Sequence, residues 1–198
     1  MGKDTPPRWD RRMQQRLARG EAAALGELYD RYASLVHHTA HRVLEDQEAA
    51  DQVTREVFGY VWENPDAFDP RQEGSLRSWI ARITRRQAVY RLRQSGAREL
   101  AERGDASAEE TERLEQRVRR AAVAARADYI VTSMPAPLRR ALELAYFQRR
   151  DYRQTAADLG VTEDEARRRL RLGLQLLATA HTRPLDGPPP PGGAGRSL

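Results

Sequence analysis

DYRQTAADLGVTEDEARRRLRLGLQLL, residues 151–177, holds a short helical pattern, the tripeptide Gly160-Val161-Thr162, and a longer helical pattern rich in arginine. Ala156, Leu159 and Val161 are apolar before and at the turn, and Ala166, Leu170, Leu174 and Leu177 continue a seam after it. Gly160 falls where the first helix ends, and glycine adopts the left-handed conformation of such an end at least cost. Thr162 can cap the second helix, with Glu165 three residues on, the spacing of a capping box. The combination predicts a helix-turn-helix. With Ala166 and Leu170 turned inward, Glu163, Asp164, Arg167, Arg168 and Arg171 are left on the outer side of its first turns. In such motifs the N-terminal half of the second helix enters the DNA major groove. Arginine there grips phosphates or guanine edges, and an acid accepts from cytosine or positions an arginine. The competing reading of the cluster is a solvated charged face on a core helix.

Working outward, nearly every periodic segment has helical spacing and none alternates as a strand does. A short basic helix is predicted over 10–19 and a long one over 21–44, with Leu25, Leu28, Tyr29, Tyr32, Leu35 and Val36 on one face. Residues 49–62 follow, with Val53, Val57, Phe58, Val61 and Trp62 at helical spacing. ENPDAFDPRQEG is rich in turn residues, and Ser75 then caps a helix over 76–94. From Ser75 to Arg98 there are seven arginines and no acid. Arg82, Arg85, Arg86 and Arg93 there mix with Trp79 and Tyr90, a pairing of charge and rings that suits single-stranded or melted nucleic acid. The alternative is a solvated face over core aromatics. Residues 99–115 hold seven acids and two arginines around Gly104 and read as a flexible linker that turns helical toward its end. Further helices are predicted over 117–131 and 138–147.

The fold class expected is therefore all-α: two small helical domains, residues 10–96 and 113–182, joined by a flexible acidic linker over 97–112. Residues 183–198, dense in proline and glycine, are expected to be disordered. The 198 residues carry a formal net charge of +5, and Lys3 is the single lysine among 34 basic residues. Such a balance fits a polyanionic partner, although a GC-rich genome gives the same arginine bias. The absence of cysteine excludes disulfides and thiolate metal sites. No run of about 18 apolar residues spans a membrane, and the polar start lacks a signal core, so a cytoplasmic protein is expected.

Four segments in order carry a resemblance: ADQVTREVFGYVW (50–62), AFDPRQEGSLRSWIARITRRQAVYRLR (67–93), MPAPLRRALELAYF (134–147) and the terminal helix-turn-helix. Together they resemble bacterial sigma-70 family initiation factors of the small extracytoplasmic-function (ECF) group, with region 2 first and region 4 last. The resemblance implies a non-enzymatic protein that lends promoter specificity to core RNA polymerase. Asp51, Gln52, Arg55 and Glu56 would dock on polymerase. Phe68 and the loop to Leu76 would capture a flipped base of the −10 element, with Trp79, Arg82, Arg85, Arg86 and Arg93 beside it. Flipping a base costs a few kcal/mol, which the pocket must offset. Thr162, Glu163, Arg167, Arg168 and Arg171 would read the −35 element. Promoter DNA and core polymerase are the implied partners, an anti-sigma factor the implied restraint, and no cofactor is implied. Gln52, Arg55, Tyr90 and the segment TEDEARRRL depart from the usual family pattern, which puts the promoter sequence in question.

Other classes remain open. A stand-alone helix-turn-helix regulator would bind duplex operator without polymerase. A divergent sigma-like paralogue would show altered promoter activity. His37 and His41 stand four apart on one helix, as metal pairs do, but no glutamate follows His37 and no third ligand is evident. No nucleophile–base set and no phosphate-binding glycine loop is found.

Overall fold

The structure is a computed structural model that describes residues 8–69, 75–104, 106–146 and 148–182. Among these residues there are eight α-helices and no strand. They are α1 Arg8–Ala18, α2 Ala22–Leu44, α3 Gln47–Glu63, α4 Leu76–Arg103, α5 Ala108–Ser133, α6 Ala136–Tyr146, α7 Tyr152–Leu159 and α8 Glu163–Thr182, with a 3-10 turn at Pro65–Ala67. The expected tail over 183–198, the centre of the loop after Phe68 and the predicted helix end at 147 lie outside the described residues. The chain divides into two compact units, residues 8–122 and 123–182.

In the first unit α2, α3 and α4 pack on one another. Leu28, Tyr32, Val36, Ala40 and Val43 of α2 recur every three or four residues and are buried, the spacing of one helical face. Val53, Val57 and Val61 of α3 and Ile80, Ile83 and Leu92 of α4 are buried too. Tyr29, expected on the buried face, is exposed and lies 4.8 Å from Phe58, ring to ring. Asp46 caps α3 by accepting from the Ala49 N–H at 2.7 Å. Ser75 caps α4 by accepting from the Ser78 N–H at 3.1 Å.

Helix α1 is tied to distant chain at two points. The buried Asp10 carboxylate accepts from the Leu76 N–H at 3.0 Å, so α4 has a second cap supplied from 66 residues away. Gln14 Nε2 donates to the Phe68 carbonyl at 2.9 Å. Met13 and Leu17 sit in the core beneath.

The flexible linker expected over 97–112 is corrected. Helix α4 does not stop at Gln94 but runs to Arg103, where Gly104 takes the left-handed conformation at φ 75°. Gly96 lies inside α4, with Leu114 in the space beside it. A Cβ on residue 96 would collide with Leu114 Cδ1. Ser107 then opens α5: its hydroxyl accepts from the Glu110 N–H at 3.1 Å, and Glu110 Oε2 accepts from the Ser107 N–H at 2.9 Å. That reciprocal pair is a capping box. The acidic stretch thus forms the turn and return arm of a helical hairpin, and the division between units falls inside α5.

The second unit packs α6, α7 and α8 around Met134, Ala141, Leu142 and Leu170, with Ile130, Leu138, Ala145, Leu159 and Leu177 at its edge. Helix α8 approaches α6 closely at Gly173, where a Cβ would meet Leu142 Cδ1 at 2.8 Å. Leu174, expected in the seam, is exposed, because the inward positions are Ala166, Leu170, Gly173 and Leu177.

Candidate nucleic-acid interface

The helix-turn-helix is built from both sides of Gly160. Asp151 and Gln154 form a capping box at the start of α7: the Gln154 N–H donates to Asp151 at 2.8 Å, and Gln154 Oε1 accepts from the Asp151 N–H. Gly160 ends α7 at φ 64°, its N–H bonded back to the α7 carbonyls. The Glu165 N–H donates to Thr162 Oγ1 at 3.2 Å, one half of the box the sequence predicts. The Glu165 carboxylate goes elsewhere, to Arg168 and to Arg169 at 2.7 Å. Both guanidinium groups pull that carboxyl below the usual glutamate range, Arg169 most strongly.

Thr162, Glu163, Arg167, Arg168 and Arg171 all lie exposed on the first turns of α8. The outer face is a lattice of opposite charges. Arg167 reaches Glu163 at 3.7 Å and Asp164 at 3.5 Å, and its guanidinium lies 5.4 Å from the centre of the Tyr152 ring. The sequence reading did not single out Tyr152, and it used Glu165 only as a capping residue, without its pairing to Arg169. That pair had a signal, since an acid three or four residues before an arginine meets it on a helix.

On α4 the predicted residues separate by burial. Arg82 and Arg93 are exposed and Arg86 is half-buried. Trp79, at 2% exposure, lies 5.5 Å from the Phe68 ring and 6.3 Å from Tyr60, and Phe68 is 1% exposed. Phe68, Trp79 and Arg85, expected at the −10 element, are all three buried, and rings packed in a core would have to be uncovered before they could stack on a base. The helical period puts Trp79, Ile80, Ile83 and Arg85 on or beside the inward side. Burial also pulls Arg86 below the usual arginine range. Its Nε is enclosed with no hydrogen-bond partner among the described residues, although guanidinium remains charged at any ordinary pH. Arg93 is engaged by Glu115, Nε to Oε1 and NH2 to Oε2, each at 3.1 Å.

On α3, Arg55 is exposed, while Asp51, Gln52 and Glu56 are half-buried. Asp51 Oδ1 lies 3.1 Å from His37 Nε2. Glu56 accepts from Gln87 and Arg91 of α4, each at 2.7 Å, and Gln52 accepts from Arg91 as well. Arg91 and Gln87, absent from the sequence reading, therefore brace this surface from the neighbouring helix. His37 and His41 stack with ring centres 6.2 Å apart, and His37 also meets Gln47 at 3.1 Å.

These surfaces can be set beside known proteins. The family model for sigma-70 region 2 matches residues 28–98, which begins within α2 and ends within α4. An ECF RNA polymerase sigma factor SigK of Mycobacterium tuberculosis (strain ATCC 25618 / H37Rv) is 35% identical over 79 residues, 40% of this chain and 42% of that protein. A SigK of Mycobacterium sp. (strain KMS) is 31% identical over 83 residues, 42% of each. The chain thus matches less than half the length of these relatives. A solved structure of CnrH in complex with the cytosolic domain of CnrY overlaps 86% of this chain and 95% of that one at 22% identity, with a TM-score of 0.36. An overlap that loose says nothing of function. The match over 28–98 identifies the α2–α4 bundle just described as similar to sigma-70 region 2, and the relatives that share it are ECF RNA polymerase sigma factors.

Proposed function

We propose that the chain is a non-enzymatic initiation factor that seats on core RNA polymerase and directs it to promoters with −10 and −35 elements. The observation that carries this reading is the region 2 match, which covers the helices that hold both the α3 surface and the basic face of α4. Asp51, Gln52, Arg55 and Glu56 are the proposed polymerase contacts, braced by Arg91. Arg82, Arg86 and Arg93 are the proposed backbone contacts near the −10 element. Thr162, Glu163, Arg167, Arg168 and Arg171 are the proposed readers of the −35 element, a role that suits the first turns of a second helix in a helix-turn-helix. The workplace is the cytoplasm; no helix among the described residues is long and apolar enough to cross a membrane. An anti-sigma protein is the proposed restraining partner.

The test is run-off transcription with purified core polymerase on genomic fragments, alongside pull-down of polymerase. Discrete starts downstream of a shared −35/−10 pair support the proposal. Tight binding to duplex operator without polymerase, and no starts with it, would replace it with a stand-alone regulator.

A further inference from the structure

The return arm of the hairpin meets α4 at three levels. Glu115 grips Arg93 through two parallel bonds of 3.1 Å, the forked geometry that a guanidinium also offers to phosphate. Between the arms Leu114 sits against Gly96. Near the turn Arg103 donates to Glu110 at 3.2 Å. The acids of α5 differ in what they face. Glu109 pairs with Arg113 of its own helix and Glu112 with Gln116 of its own helix, whereas Glu110 and Glu115 reach across to α4.

We propose that the first half of α5 is an internal competitor for nucleic acid, with the Glu115 carboxylate standing on Arg93 where a DNA phosphate would stand. Closure of this pair occupies the Nε/NH2 edge of Arg93 and neutralises its charge, so a phosphate takes that edge only by displacing Glu115. The inference rests on the proposed reading of α4 as a nucleic-acid face. Both side chains are partly exposed, and a pair of that kind contributes little on its own. The arm therefore lowers affinity for DNA without abolishing it, and it selects for ligands with enough phosphates to displace it.

The test uses the full chain and a labelled mixed-sequence single-stranded DNA at low ionic strength, where backbone contacts dominate. Glu115→Gln and Glu112→Gln change the net charge equally on the same helix. Glu115→Gln is expected to tighten binding about three- to fivefold, and Glu112→Gln clearly less. In an Arg93→Gln background the difference between them should vanish, as a double-mutant cycle requires of a pairwise contact. Circular dichroism melts check that each variant is folded. Equal gains from the two glutamine variants, or a difference that survives Arg93→Gln, would overturn the inference while leaving α4 a DNA face. Failure of wild-type and variant chains alike to bind DNA would overturn the reading of α4 itself, and the inference with it.

Discussion

At the scale of single residues, burial decides which of the aromatic and basic groups can touch a ligand. Trp79 stands in the sequence among arginines and could serve as a stacking platform or as a core ring; it packs against Phe68 and Tyr60. Trp79→Ala is expected to cost about 3–5 kcal/mol of stability, seen as a lower denaturation midpoint. Intact folding with a selective loss of DNA binding would contradict its core role. Arg168 is the opposite case: its side chain is 71% exposed and its ion-pair partner is on its own helix. Arg168→Ala is expected to leave the melting curve unchanged and to weaken −35-dependent initiation by about 1–3 kcal/mol if the guanidinium reads a base edge. Unchanged promoter use would count against the assignment of α8. The exposed arginines of α8 were legible because Ala166 and Leu170 fix which side of the helix faces inward. Arg91 was not, because its partners Glu56 and Gln52 lie 35 and 39 residues away, and only folding brings them together.

At the scale of elements, the sequence states where most helices begin and end. Gly160 and Ser75 mark their boundaries by conformation or capping chemistry. The hairpin between α4 and α5 was missed, although Ser107-Ala108-Glu109-Glu110 has the spacing of a capping box. The acid-rich composition around Gly104 suggested a flexible linker, and Leu114, which packs on Gly96, is 18 residues further on. Ser107→Ala is expected to cost about 0.5–2 kcal/mol, visible as faster amide exchange in the first turn of α5. The same cap has a predictable pH response. The Ser107 N–H, followed by the charge of Arg103, holds the Glu110 carboxyl below its ordinary value of 4.5. A carboxyl lowered by folding stabilises the folded form fully above its unfolded value and loses that contribution as pH falls through the folded one. Amide exchange at the α5 start should therefore be flat from pH 7 down to pH 5, once corrected for intrinsic rates, and rise only below pH 4.5. A rise near neutrality would show that another group controls it.

At the scale of the whole molecule, the all-α class and the order of its helices were legible from periodicity alone. The division into units was not, because α5 shows no break in pattern where the first unit ends at residue 122. A fragment of residues 8–122 is expected to melt in one cooperative transition, at a higher temperature than a fragment of residues 8–96. The shorter piece loses Leu114, Glu115 and the buried Val118. Equal melting temperatures would show that the hairpin arm adds nothing to the first unit. The tie between Asp10 and Leu76 bears on the order of events on the ribosome. Helix α1 is synthesised before α4, and the amide its buried acid must satisfy is made 66 residues later. Until then the carboxylate lacks this partner, so the docking of α1 is complete only after the start of α4 has been made.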